Sequence, residues 1–148
     1  MVDDRTTSRD EREPVRLLAT IVAATFVLVG IAGFIPGLTT ELYDGLEFAG
    51  DESEAEIFGI FQTSILHNLV HLGFGLIGLA MARTWSGART YLIGGGVIYI
   101  ALWLLGLLGG ADWIPINDAD DWLHLVLGVA MIGLGFLTTR DRPVARTA

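Results

Sequence analysis

The chain has 148 residues, of which 52% are hydrophobic, with a mean hydropathy of +0.56 and a formal net charge of −8. Its apolar residues cluster in runs of about 18 to 26 residues, which excludes an ordinary soluble domain and predicts an integral membrane protein whose partner is the lipid bilayer. The negative charge argues against a nucleic-acid partner, and the absence of cysteine excludes disulfides, thiolate metal sites and cysteine nucleophiles.

The N-terminal segment is predicted to be a disordered cytoplasmic tail over residues 1–14, because it is polar, carries both signs of charge and lacks aromatic residues. Pro14 suits a helix start, and the apolar run over 17–38 is long enough to span a bilayer. That run is too long for the apolar region of a cleaved signal peptide. We therefore expect the first helix to stay in the mature protein and to end around Pro36 and Gly37.

The next segment, residues 39–56, is an acidic loop whose seven carboxylates form a solvated face. An uncharged run over 57–82 follows and predicts the second span. At helical spacing, one arc of this span collects small and polar residues, namely Thr63, Ser64, His67, Asn68, His71, Gly75, Gly78 and Ala82. Imidazole and amide groups need hydrogen-bond partners in hydrocarbon, so the arc is expected to face the bundle and the leucine side the lipid.

Two further spans are predicted over residues 90–109 and 122–139, followed by a basic cytoplasmic tail over 141–148. Together the four helices make one membrane domain over residues 15–140. The third span contains a run of three glycines, Gly94 to Gly96, and the pattern Gly106-x-x-x-Gly110. Small residues let helix backbones approach closely. The residues expected to pack helices are Gly75, Gly78, Gly106 and Gly110, and self-association into a homo-oligomer is expected through Gly106 and Gly110 or through the glycine run.

The nine basic residues, all arginine, fall in the N-terminal tail, between the second and third spans, and in the C-terminal tail. Eleven of the seventeen carboxylates lie in the two remaining loops. The positive-inside rule therefore predicts four spans with both termini cytoplasmic, in a multi-pass protein of the cell membrane. A weak internal repeat, residues 68–72 against 121–125, supports a pairing as two hairpins, although any two apolar hairpins look alike. The predicted fold is an all-α four-transmembrane-helix bundle built as two helical hairpins.

The three histidines are the strongest chemical candidates. The same number of residues separates His67 from Arg83 and His124 from Arg140, about 24 Å of helix, so His67 and His124 are expected at similar depth. The repeat instead aligns His124 with His71, and both pairings stay open.

Two imidazoles on facing helices can ligate a haem or, with a carboxylate, a divalent metal ion. The residues that would bind a cofactor are His67, His71 and His124, and those that would bind a metal ion are His67, His124, Asp120 and Asp121. The alternative, which we favour, is that the histidines bridge helices by hydrogen bonds, so that no cofactor is expected. No catalytic residue is predicted.

Two motifs resemble known binding sites without their context. Residues 73–78 match G-x-G-x-x-G but lie inside a span with no preceding strand, so glycine is expected to serve helix packing. The sequence NDADD over 117–121 begins like a calcium loop but lacks its glycine and final glutamate. We expect instead that Asp118 or Asp120 caps the fourth helix.

The order of GFIPGLTT, YDGLEFAG, GIFQTSILHNLVHLGFGLIGLAMART, SGARTYLIGGG and WIPINDADDWLHLVLG resembles the bacterial membrane family catalogued as domain of unknown function 4383. The resemblance covers about residues 15–140. It implies a four-helix membrane protein and supplies no activity, ligand or catalytic residue.

These observations predict a non-enzymatic membrane protein with a structural, assembly or envelope role. The first alternative is a haem- or metal-binding redox module that uses the three histidines. The second is a small transporter whose path is lined by the polar arc of the second span, although a transporter would more often place a charged residue in a span.

Overall fold

The computed structural model describes residues 13–109 and 114–137. Four helices in this part of the chain confirm the predicted helical fold, and a small antiparallel sheet joins them. The helices are α1 (Glu13–Ala32), α2 (Ile65–Met81), α3 (Trp85–Leu107) and α4 (Asp118–Leu137), and the strands are β1 (Thr39–Thr40), β2 (Glu56–Ile57) and β3 (Phe61–Gln62). Three predictions lie outside the described residues: the N-terminal tail up to residue 12, Gly110 and the C-terminal tail.

Helix α1 ends at Ala32, earlier than the expected residue 38. The N–H of Phe34 already bonds to the carbonyl of Ile31 at 2.9 Å, which is the tighter spacing of a final turn. Pro36 has no N–H to continue a helix, and Gly37 has a φ of 86°, which glycine adopts without steric cost. The chain therefore turns directly into β1.

Helix α2 begins at Ile65 instead of residue 57, because the first part of the uncharged run forms a β-hairpin. Strand β2 pairs antiparallel with both β1 and β3, and Ile57 lies opposite Phe61. Ser64 caps α2, since its hydroxyl accepts the N–H of His67 at 3.2 Å. Hydropathy alone did not separate hairpin from helix, as both are apolar here.

Helices α3 and α4 both begin earlier than expected, at Trp85 instead of residue 90 and at Asp118 instead of residue 122. The hydroxyl of Thr84 caps α3 by accepting the N–H of Gly87 at 3.1 Å. Only a tight turn therefore separates α2 from α3, where the sequence suggested a longer link.

Glycines bring the backbones of consecutive helices together. A Cβ on Gly75 of α2 would lie 2.7 Å from the carbonyl oxygen of Ala23 and 2.8 Å from the nitrogen of Val27, both in α1. A Cβ on Gly96 of α3 would lie 2.8 Å from the carbonyl oxygen of Gly128 in α4. The most extensive helix contacts accordingly lie within the pairs α1–α2 and α3–α4, which we call the two hairpins.

Several glycines expected to join copies of the chain are covered inside it. Gly95 faces the ring of Phe74, Gly96 faces α4, and a Cβ on Gly106 would overlap the carboxylate of Asp121. Of the glycine run, Gly94 has open space around it. Self-association stays a prediction, and in the described part of the chain it has only Gly94 of that run available.

A buried amide joins the residue that follows α1 to the start of α2. The side chain of Asn68 is fully buried, and its Nδ2 donates to the carbonyl of Gly33 at 3.1 Å. Its Oδ1 accepts the hydroxyl of Thr63 at 2.7 Å. As the polar arc of the second span predicts, Asn68, Gly75 and Gly78 are buried, whereas Leu69 and Leu76 are at least half exposed.

Gly75→Ala is expected to destabilise the bundle by about 1–3 kcal/mol, because the new methyl group meets backbone atoms of α1 that cannot move independently. Gly73→Ala is the matched control in the same helix, since a Cβ on Gly73 would have no neighbouring atom within 4 Å. The control should be neutral or gain up to about 1 kcal/mol of helix propensity. Unfolding by sodium dodecyl sulfate in mixed micelles measures both, and equal stability of the two variants would contradict the close packing.

Candidate functional site

His67 and His71 lie one turn apart on α2 and contact each other. Their Nε2 atoms are 3.1 Å apart, and their ring centroids 4.4 Å apart. Residues four apart share one side of a helix, so the α-helix itself brings the two rings together. Two neutral imidazoles at this distance share one proton: one ring donates its Nε2–H, and the other accepts with a bare Nε2.

The shared proton on Nε2 determines whether the Nδ1 atom of each ring is protonated. The neutral ring that accepts must carry its own proton on Nδ1, whereas the donating ring has a bare Nδ1. Neither Nδ1 atom has a hydrogen bond of good geometry in the described part of the chain, although the backbone of Pro115 interacts with the His67 ring. The Nδ1 of His71 is thus a buried polar atom without a partner among the described residues, which is uncommon in folded proteins.

A line of aromatic rings connects this pair to the other three helices. The centroid of the His71 ring lies 5.6 Å from that of Phe26 on α1, and Phe26 lies 5.4 Å from Tyr99 on α3. Tyr99 in turn lies 5.3 Å from His124 on α4. The three histidines are thus brought to one region, the histidine cleft, which is defined by His67, His71, Tyr99 and His124 and lies between the two hairpins.

Two cavities flank the histidine cleft and share its four residues. One of about 310 Å³ lies between α1 and α4, and the other of about 250 Å³ lies between α2 and α3. Both are partly open and lined mainly by apolar side chains. The helix pairs that border them pack less extensively than the pairs within each hairpin. The cleft therefore lies where the helices pack least extensively.

His124 is only 5% exposed, and its Nδ1 has no hydrogen-bond partner among the residues that the structure covers. The sequence predicted that His124 lies at the same depth as His67, whereas the internal repeat aligned His124 with His71. The structure brings all three to the same cleft. Tyr99 and Phe26 were missed, because their phenyl rings look like ordinary span residues until the facing sides of α1 and α3 are known.

Asp120 and Asp121 point in different directions. Asp120 is 3% exposed, and its Oδ2 accepts the N–H groups of Gln62 at 3.1 Å and Asn117 at 3.2 Å. The amide oxygen of Asn117 accepts the N–H of Asp120 at 3.0 Å. This is a reciprocal capping box, so the cap of α4 is Asn117, assisted by Asp120 from the first turn, and the expected cap at Asp118 is wrong. Asp121 instead faces Gly106.

The histidine pair fits part of a metal site. With metal–nitrogen distances of about 2.0–2.1 Å, two imidazoles on a tetrahedral ion lie about 3.3 Å apart, close to the 3.1 Å between these Nε2 atoms. Within the described ranges, no group of three or more His, Cys, Asp or Glu residues is arranged to hold a metal ion. The pair could supply two ligands, while Asp120 is engaged by backbone N–H groups.

A haem fits this pair less well. Axial ligands stand on opposite sides of the iron, which at a metal–nitrogen distance of about 2 Å separates two nitrogens by about 4 Å. The Nε2 atoms of His67 and His71 are closer and belong to one helix. Ligation of a haem by two histidines would need one of these rings together with His124.

Replacing Asp120 with Ala is expected to loosen the sheet from α4, because a buried acceptor of two backbone N–H groups is lost and both N–H groups are left without this partner. A loss of about 1.4 kcal/mol locally corresponds to about tenfold faster amide exchange. Hydrogen–deuterium exchange of the peptide around Gln62 measures this effect. Asp118→Ala, at an exposed position of the same turn, is the control. Unchanged protection of Gln62 in the Asp120 variant would contradict the role of this contact.

Comparison with known proteins identifies the chain by family. Neither the curated proteins nor the solved structures gave a match. A family model described as a domain of unknown function, DUF4383, matches residues 16–137. Since that match covers most of the chain, including all four helices and the histidine cleft, the protein belongs to the DUF4383 family.

Proposed function

We propose that this chain is a non-enzymatic, multi-pass protein of the cell membrane that binds a small lipid-soluble molecule in its histidine cleft. The observation that carries the proposal is the meeting of three histidines and Tyr99 between the two hairpins, with a cavity on either side. A structural, assembly or envelope role, expected from the sequence, is compatible with such binding.

Membrane embedding is supported by helix length and by the exposed surface. Three helices are long and apolar enough to cross a membrane, and α2, with 17 residues, is about 26 Å long. Large apolar side chains are exposed along the helices, for example Leu28 on α1, Leu76 on α2, Val97 on α3 and Val126 on α4. Such a surface suits lipid and would be costly in water.

The proposed orientation of the chain in the membrane is supported by the distribution of arginine and acidic residues between the two ends of the bundle. Arg16 lies in the first turn of α1 and donates from Nε to the carbonyl of Ala82, which follows α2, at 3.2 Å. Arg83 and Arg89 lie at the same end of the bundle, while the acidic loop and the sheet lie at the other. By the positive-inside rule the arginine end is cytoplasmic, which puts both termini in the cytoplasm.

The chemistry of the cleft indicates the kind of ligand. Its walls are apolar, so most of the ligand surface should be hydrocarbon or aromatic. Its polar atoms include the imidazole nitrogens of the three histidines and the hydroxyl of Tyr99, and both kinds of group can donate and accept. A hydroxyl or carbonyl head group on an apolar body matches this pattern. Since the cavities are partly open and lie between helices with exposed apolar side chains, we expect such a molecule to enter from the bilayer.

The head-group requirement is tested with two compounds that differ by one hydroxyl. Dodecan-1-ol is expected to raise the melting temperature of the detergent-purified protein more than dodecane does, because only the alcohol can bond to an imidazole. At a ligand concentration a hundredfold above Kd, the stabilisation would be about 2.7 kcal/mol. His71→Leu should remove the difference between the compounds. Leu69→Ala, on the exposed side of the same helix, should keep it.

Equal shifts by the two compounds in the unaltered protein would contradict a head-group site and indicate simple partitioning into the apolar cavities. Metal analysis and an optical spectrum of the same preparation address the cofactor alternative. Stoichiometric metal or haem absorbance that is lost in His71→Leu would replace the proposed ligand with a cofactor.

A further inference from the structure

The turn between β2 and β3 has an unusual backbone for its sequence. In the four-residue turn from Ile57 to Ile60, the N–H of Ile60 donates to the carbonyl of Ile57 at 3.2 Å. Its two central residues, Phe58 and Gly59, have φ values of 56° and 65°. Two consecutive positive φ angles are typical of the tight hairpin turns in which Asn, Asp or Gly is preferred. Glycine adopts this conformation freely, whereas a bulky aromatic residue such as Phe58 does so only when its surroundings hold it there.

The same turn exposes apolar side chains where a solvated turn would carry polar ones. Phe58 is 56% exposed, and Ile60, the last residue of the turn, is 52% exposed. We call residues Phe58 to Ile60 the hairpin tip. Polar or flexible residues would suit both this backbone conformation and an aqueous environment better. Phe58 and Ile60 are therefore poorly suited to a turn that is surrounded by water.

Hydrogen bonds fix the hairpin tip at the outer ends of two helices. The N–H of Phe58 donates to the carbonyl of Leu38, just after α1, at 2.7 Å. The carbonyl of Ile60 accepts the side-chain amide of Asn117, the cap of α4, at 2.8 Å. The tip thus lies close to the end of α1 and the start of α4, and one hydrogen bond to each of these two segments holds it there.

The exposed apolar surface continues from the tip to the end of α1. Phe34, Ile35 and Leu38 are each 38–39% exposed. They link the tip to the exposed side chains of α1, among them Leu28 and Ile31. The acidic side chains of the same loop, from Glu41 to Glu54, are exposed as well. They are negatively charged and therefore do not attract an anionic lipid surface.

From this placement we infer that the hairpin tip inserts into the outer interface of the bilayer, beside α1, and anchors the extracytoplasmic sheet on the lipid surface. The occupant is lipid because the patch is continuous with the lipid-facing side of α1 and lies at the depth where helices leave the hydrocarbon. Aromatic and aliphatic side chains are stable at the boundary of head groups and acyl chains. The inference rests on the proposed membrane embedding and is independent of the ligand in the cleft.

A spin label at the tip tests the inference. The chain has no cysteine, so a single substitution, Phe58→Cys, carries one nitroxide label. In phosphatidylcholine vesicles, the label is expected to be more accessible to oxygen than to a water-soluble nickel chelate. Glu52→Cys, in the acidic part of the same loop, should show the opposite order. Ile60→Cys repeats the measurement at the other exposed residue of the tip, should the Phe58 variant fail to fold.

Val97→Cys, on the exposed side of α3, separates this inference from the membrane embedding. If the Val97 label is reached by oxygen while both tip labels are reached by nickel as easily as Glu52, the anchor is disproved and the embedding stands. If the Val97 label is itself reached by nickel, the embedding fails and the anchor fails with it. Oxygen-accessible labels at Val97 and at the tip, with a nickel-accessible label at Glu52, would establish the anchor.

Discussion

The arrangement of the half of the molecule that contains the sheet depends on the buried amide of Asn68. An amide surrounded by apolar atoms is costly unless both its donor and its acceptor are used. Asn68 uses its donor on Gly33 and its acceptor on Thr63, and Gly33 admits it because a Cβ there would overlap the amide. These bonds fix the rotation of α2 about its own axis. Because His67 precedes Asn68 by one residue, the same rotation turns His67 and His71 toward the cleft.

Packing differs within and between the hairpins, and that difference creates the cleft. Within each hairpin, glycines such as Gly75 and Gly96 allow backbone to meet backbone, where dispersion contacts are densest. Between the hairpins, aromatic side chains meet instead, as the rings of Phe26 on α1 and Tyr99 on α3 do at 5.4 Å. Rings fill such a space incompletely, which leaves two cavities beside the histidines. The proposed site is therefore a product of how the hairpins meet.

The acidic loop is a folded unit joined to the bundle. The hydroxyl of Ser53, 1% exposed, donates its single proton to the carbonyl of Thr63, with the carbonyl of Gly45 as the more distant alternative acceptor at 3.2 Å, and this holds the loop against the start of α2. On the other side, Asp120 joins β3 to α4. Asp120 also borders the cavity between α1 and α4, as does Phe61 of β3. The sheet thus borders the end of that cavity nearest the start of α4. The proposed anchor at the hairpin tip would keep the sheet in contact with the lipid surface.

The sequence alone determined the features that follow from local period and composition: four apolar helices, the inward arc of α2 and the position of His67 and His71 on one face of that helix, which helix geometry imposes on residues four apart. The contact between these two rings, where the sequence had suggested pairings with His124, came from the structure. It could not find the hairpin hidden in residues 56–62, since a short apolar run satisfies strand and helix equally in hydropathy. Nor could it show that Tyr99 and Phe26 border the histidines, or that Gly106 packs against Asp121 in the same chain. Those contacts join distant segments. They depend on how each helix is rotated against its neighbours, and only the packing of all four helices together fixes that rotation.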